Sequence, residues 1–186
     1  MADSNITKRA LAGALRELMN EIPFEKISVA EICQRCDMNR KSFYYHFKDK
    51  YDLVNWIFDT EFLSIAVARS STASHEEHIA FFGTACNYFY ENRDFYRKAL
   101  CIKGQNSFSE HFREYIQPIL KDRIASTLGT DITDDFTLAF FTDAFVCSLE
   151  RWLLDKDCMQ PRAFVDKLLN IIERSAEVVY ETLNQE

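Results

Sequence analysis

Glycine and proline are scarce, at four and three in 186 residues. A sheet protein of this length needs many more turn residues, so the shortage excludes a mainly β architecture and predicts long helices. Long apolar runs are missing as well. No stretch approaches ~18 uninterrupted apolar residues, which excludes a membrane-spanning helix. The opening residues, Met1 to Leu15, lack the apolar core and small-residue cleavage pattern of a secretory signal. Six Cys without such a signal therefore read as reduced thiols of a cytoplasmic protein, not as a disulfide framework. Glycine-rich phosphate loops and dinucleotide fingerprints are absent too. What remains is 47% hydrophobic and 14% aromatic, with 16 Phe and 8 Tyr. That is enough to build a sizeable helical core.

The net charge of −7 conceals an asymmetry. Residues 1–50 carry nine Lys/Arg against seven Asp/Glu, whereas residues 51–186 carry thirteen against twenty-two. An acidic bulk argues against nucleic-acid binding over a broad surface. A local basic patch in the first fifty residues stays open.

Capping signals divide the chain. A first amphipathic helix runs from about Ser4 to Glu21, with Leu11, Leu15, Leu18, Met19 and Ile22 at helical spacing. Pro23 stops it. Ser28 and Glu31 form a capping box, with Ile27 and Ile32 as a hydrophobic staple, and predict two helical turns ending near Asp37. Asn39 caps a third helix that ends near Phe47, and Asp49 caps a fourth from Lys50 towards Ser70. Longer helices follow. Ser74 with Glu77 opens one to about Glu91, a short one spans about Asp94 to Cys101, and Ser107 with Glu110 opens the next. Pro118 should kink that helix without ending it, and Gly129 breaks the chain. Two last helices cover about 133–156 and 161–183, with Pro161 in a first turn. The predicted fold is all-α: three short helices over residues 1–52, then a helical bundle over 53–186.

Three short helices with tight turns, the second and third about three residues apart, suggest a helix-turn-helix. The stretch from Met38 to Lys50 holds four basic side chains, one acid, four aromatics and a histidine. At ~100° per residue, Phe43 and Phe47 share one face and would anchor the helix. Lys41 and Tyr45 lie opposite, flanked by Ser42 and Tyr44, with Arg40 and His46 at the edges. Lys and Arg suit guanine edges, and Ser and Tyr suit phosphate or base. Lys50 would touch the DNA backbone. A solvated amphipathic helix is the bland alternative.

Resemblance decides between them. The run from Ile27 to Leu53, above all Ser42-Phe-Tyr-Tyr-His-Phe-Lys-Asp-Lys50, resembles the DNA-binding domain of TetR-family transcriptional regulators. The likeness covers about the first fifty-five residues. It implies a homodimeric, two-domain helical regulator that binds palindromic operator DNA. Carried over by position, it implies DNA contacts from Arg40, Lys41, Ser42, Tyr44, Tyr45, His46 and Lys50, and places Ser28 where the second helix meets the phosphate backbone. Cys33 and Cys36 stand where that family usually has small residues. Asp37 stands where glycine commonly makes the turn, but Asp tolerates a left-handed backbone better than most residues. Asn92 to Leu100 and Gly104 to Phe108 resemble, less specifically, the C-terminal domain of the dihydroxyacetone kinase activator group.

Other constellations are weaker. Cys33-Gln-Arg-Cys36 has a redox or zinc half-site spacing, but no strand precedes it and no second pair exists. Both thiols read as small core residues. His75-Glu-Glu-His78 has three-residue histidine spacing, not the four of a metalloprotease helix, and a helix start explains it. Ser42 and His46 lack an acid to orient the imidazole. Nothing here calls for an enzyme, a metal or a cofactor. The later part of the chain holds thirteen of the sixteen Phe and both Trp. The resemblance allows an effector cavity lined by Phe82, Cys86, Phe89, Phe112, Tyr115, Phe141 and Phe145, although ordinary core explains each residue as well. The last two helices have apolar residues on more than one face, as a homodimer interface requires. Two alternatives stay open: a bundle that docks a partner protein, and a thiol-dependent enzyme.

Overall fold

A computed structural model describes residues 2–66, 75–103, 107–128 and 134–183. These residues form helices α1 (Ala2–Glu21), α2 (Val29–Arg35), α3 (Arg40–His46), α4 (Lys50–Ala66), α5 (His75–Glu91), α6 (Arg93–Leu100), α7 (Phe108–Leu128), α8 (Asp135–Leu154) and α9 (Pro161–Leu183), with a 3-10 turn at Phe24–Lys26. No strand occurs among them. The chain divides into two compact units. Residues 1–68 and 92–112 form the first, and 69–91 with 113–186 form the second.

In the first unit, α1 turns Leu11, Leu15, Leu18 and Met19 inward, all buried. They face α2, α3, α4 and α6. Phe24, Ile27, Ile32, Phe43, Phe47, Leu53 and Val54 complete this core. Each large side chain so buried is worth roughly 1.5–3 kcal/mol, which offsets the ordering of three very short helices. Behind it lies an aromatic cluster. The Phe58 ring sits 5.0 Å from Phe62, 5.5 Å from Phe108 and 5.6 Å from Phe112. The Arg16 guanidinium covers the Phe95 ring at 4.2 Å and donates to Glu61 at 2.6 Å.

The caps follow the sequence closely. Ser28 Oγ accepts from the Glu31 amide at 3.2 Å, and the Ser28 amide donates to Glu31 Oε2 at 2.8 Å. Asn39 Oδ1 accepts from the Ser42 amide at 2.8 Å. Asp49 Oδ1 accepts from Tyr51 and Asp52 amides. Ser107 caps α7 through the Glu110 amide. Asp37 has φ 54°, and around it the Met38 amide donates to the Cys33 carbonyl and the Asp37 amide to Gln34. This is a Schellman closure of α2 made without glycine.

In the second unit α5 packs along α9. Trp152 of α8 stacks on Phe164 of α9 at 4.3 Å, and its Nε1 donates to the Met159 carbonyl at 2.8 Å. The turn between the last two helices is thereby pinned by a ring and a hydrogen bond. Asp134 caps α8 with bonds from the Phe136 and Thr137 amides. Pro118 stands inside α7 and does not end it.

Some boundaries differ. α1 begins at Ala2, ahead of Ser4, since nothing in its first turn breaks a helix. α2 ends at Arg35, because the left-handed Asp37 starts the turn earlier than expected. The Ser74 cap, the Gly129 break and the stretch of the fourth helix towards Ser70 lie outside the described residues.

Candidate nucleic-acid interface

The site rests on α3, a helix of two turns held from behind. Phe43 is fully buried and Phe47 nearly so, and Phe47 lies 5.6 Å from the Trp56 ring of α4. Lys8 of α1 reaches over both of these rings at 5.7 Å. With its apolar side fixed, α3 must present everything else outward. Arg40 and Lys41 are exposed, Tyr44 is 52% exposed and Tyr45 83%. His46 is half-buried, with its ring 4.8 Å from Tyr45 in an edge-on arrangement. Ser42 is half-buried and donates its hydroxyl to Asn39 Oδ1 at 3.2 Å, so its remaining capacity is that of an acceptor. Tyr44 and Tyr45 are thus exposed together beside Arg40 and Lys41, and this mixture of aromatic and cationic side chains on one face suits contact with a nucleic acid.

Ser28 is exposed at the start of α2 and closes a reciprocal capping box, in which Oγ also donates to Glu31 Oε2 at 2.7 Å. Those bonds hold the Glu31 carboxyl below its ordinary pKa. Arg35 of α2 clamps Glu21 of α1 with two bonds of 2.7 Å. The two helices behind α3 are thus locked to each other.

Lys50 departs from expectation. Its ammonium does not point outward from the first turn of α4. It donates to the carbonyls of Phe24 at 2.8 Å, Glu25 at 3.1 Å and Ile27 at 2.7 Å. An ammonium has three protons, and all three are used. In this arrangement Lys50 has no proton left over for a DNA phosphate. Lys48, which helical spacing did not single out, is exposed just past the end of α3. It belongs to the same basic run, and counting charges alone could not separate an inward lysine from an outward one.

The residues expected around an effector fall in both compact units. Phe82, Cys86 and Phe89 follow one face of α5, the last two buried, and the Phe82 ring lies 5.5 Å from Phe145 of α8. Tyr115 of α7 is half-buried. Phe112 belongs to the first unit, where Phe58 and Phe108 pack against it. Phe141 is 37% exposed and packs edge-on against Phe140 at 5.5 Å, since α8 turns it away from its buried row. Burial drives the Cys86 thiol up to about 12 and raises Cys33 and Cys36 too. Cys33 is core as expected, whereas Cys36 is only half-buried, with Sγ donating to the Ile32 carbonyl at 3.3 Å. Among the described residues, no three His, Cys, Asp or Glu gather as a metal site would need, and no helix is long and apolar enough to cross a membrane.

A buried aromatic anchor, a capped helix pair and an outward face of Arg, Lys and Tyr define a helix-turn-helix protein. Comparison with known proteins gives the family. Residues 11–57 match bacterial regulatory proteins of the tetR family, and residues 76–174 match a transcriptional regulator C-terminal region of the same group. The chain belongs to the TetR family of transcriptional regulators. It is 30% identical over 112 residues to the HTH-type dhaKLM operon transcriptional activator DhaS of Lactococcus lactis subsp. lactis (strain IL1403), an alignment covering 60% of this chain and 57% of that one. Its fold is similar to a TetR transcriptional regulator from Streptococcus agalactiae 2603V, with TM-score 0.71 and 20% identity over 92% of this chain and 96% of that one. It is also similar to a dihydroxyacetone kinase operon activator DhaS structure, with TM-score 0.62 and 18% identity over 93% and 97% of the two chains. The matched families are families of regulators, not of enzymes.

Proposed function

We propose that this regulator binds a palindromic operator as a homodimer, with residues 1–52 on the DNA and residues 53–186 joining the subunits and taking the signal. The observation that carries the DNA reading is the face of α3. Phe43 is entirely buried while Tyr45, two positions on, is 83% exposed. Arg40, Lys41, Tyr44, Tyr45 and His46 supply base and phosphate contacts. Ser28 acts chiefly as the cap of α2 and Ser42 as a brace on the Asn39 cap of α3, each with acceptor capacity left over, and Lys48 takes the phosphate role first expected of Lys50. Such a protein works in the cytoplasm beside the chromosome. Sequencing the DNA fragments that the purified protein selects from a random pool tests this. We expect an inverted repeat with half-sites one helical turn apart, ~34–36 Å or a multiple of it. Recovery of unrelated sequences at every salt concentration would remove the reading.

The homodimer is supported by α8. Phe136, Phe140, Cys147 and Leu154 are all exposed, at 80% and 60% for the two Phe, and their spacing puts them on one face. An apolar stripe on a helix belongs against another subunit. A small-molecule effector is supported by Phe82 and Phe145 meeting beside buried Cys86 and Phe89. A protein partner is the second reading, favoured by exposed Phe141, which widens the apolar surface of α8. Elevated pKa values at Cys33 and Cys86 count against a thiol-dependent enzyme, which needs a thiolate near neutral pH.

A further inference from the structure

Lys50 is twenty-three residues beyond Ile27, yet its side chain reaches across the domain to the turn that precedes α2. The carbonyls of Glu25 and Ile27 sit at the end of a one-turn 3-10 helix, where backbone acceptors have no partner within the helix. Ile27 is buried, so leaving its carbonyl unpaired would cost on the order of a lost hydrogen bond. Lys50 fills both, with Phe24 as the third, at 2.7–3.1 Å. Its Nζ also lies 4.5 Å from the Phe24 ring centroid and 5.9 Å from that of Tyr51. Those two rings are packed edge-on at 5.2 Å. The ammonium is therefore caged by three oxygens and an aromatic corner. Burial pulls its pKa down while Glu25 and Glu31 pull it back. A neutral amine could not fill three acceptors, so the cage is built for the cation.

The location gives the cage its consequence. Ile27 adjoins Ser28, the cap of α2. Lys50 opens α4, and α3 lies between them in the chain. The bonds thus close a ring that runs through the 3-10 turn, α2, α3 and the start of α4. We propose that Lys50 is a positioning residue for operator recognition, fixing α2 and α3 to the first turn of α4 through the carbonyls of Phe24, Glu25 and Ile27 without contacting DNA. The inference rests on the operator reading for its effect on binding, though not for the cage. Any shift of the first turn of α4 then carries the two DNA-facing helices with it.

Salt dependence separates this role from a phosphate contact. Operator binding by the full-length wild type, K50M and K50R is measured across a salt series, alongside amide hydrogen exchange without DNA. In K50M we expect affinity to fall at least about tenfold, comparable to one mismatched base pair in the operator, with an unchanged slope of log K against log salt. Amides of residues 28–47 should exchange faster, and those of the second unit should not. K50R should not restore binding, because a planar guanidinium cannot converge on three carbonyls. A phosphate-binding lysine predicts the opposite: a slope reduced by about 0.9 for each phosphate no longer neutralised, and rescue by K50R. That pattern, or unaltered exchange in 28–47, overturns the proposal. If K50M does not fold, K50R carries the same comparison, and collapse of both variants would assign Lys50 to general stability and overturn it too. Should the wild type select no DNA, the operator reading fails, while the exchange data still decide the cage.

Discussion

Lys41 and Phe43 are two residues apart and do opposite work. Phe43 holds α3 to the core, and Lys41 stands in solvent on the other side. Lys41→Ala should therefore leave the melting temperature nearly unchanged. It should weaken the selected operator by roughly 1–3 kcal/mol if Lys41 touches a base edge, and blur preference at one position of each half-site. Competition binding against single-position operator variants reads this. Equal weakening on operator and random DNA would make Lys41 a phosphate contact only. The cysteines divide in the same way by burial. Cys33 and Cys86 are buried with raised pKa values, whereas Cys101 and Cys147 are exposed. A thiol reagent on the native protein should label Cys101 promptly, be slowed at Cys147 by the dimer seam, and reach Cys33 and Cys86 only on unfolding. Fast native labelling of Cys86 would revive a reactive-thiol role.

Among the elements, the closure of α2 is unusual for using Asp37 at φ 54°. A non-glycine residue in this left-handed region costs roughly 1–2 kcal/mol, somewhat less for Asp, while glycine adds about 0.4–1 kcal/mol of disorder to the unfolded chain. Asp37→Gly should then raise stability by about 0.5–1 kcal/mol on balance, visible as a higher urea midpoint at unchanged slope. A lower midpoint would mean that the Asp37 side chain does more than tolerate the turn. That turn was legible in the sequence, as were the caps at Ser28, Asn39, Asp49 and Ser107, because each depends on a few adjacent residues. The anchor pair Phe43 and Phe47 was legible from helical spacing. What escaped was long-range. Lys50 turns inward because the carbonyls of Glu25 and Ile27, twenty-five and twenty-three residues earlier, have no partner within their short helix, and no local pattern records that. Phe112 and Phe141 share the composition of a cavity lining, but which side of a helix meets which neighbour is decided by packing. Composition counted the aromatics without assigning them.

For the whole molecule, two DNA-facing helices can match a palindrome only if something remote from the groove joins the subunits. The described residues offer α8 for that. Phe136, Phe140, Cys147 and Leu154 recur at four- and seven-residue steps, and their exposure leaves apolar area that a lone subunit gains nothing by showing. Phe140 is 60% exposed, so changing it need not disturb the subunit's own core. Phe140→Asp would set an unpaired carboxylate from each copy into the seam, at a cost of several kcal/mol. The expected product is a folded monomer by light scattering, with wild-type helical content by circular dichroism. Operator affinity should fall towards that of a single half-site, although no residue of α3 has been touched. A single monomer engages one half-site and forgoes the gain from tethering the second. Two outcomes separate the seam from the mechanism. If the variant stays dimeric, the seam lies elsewhere on the bundle and the exposed stripe fits the partner-protein reading. If it is monomeric and still grips the full palindrome as tightly as wild type, the homodimer is not what reads the operator.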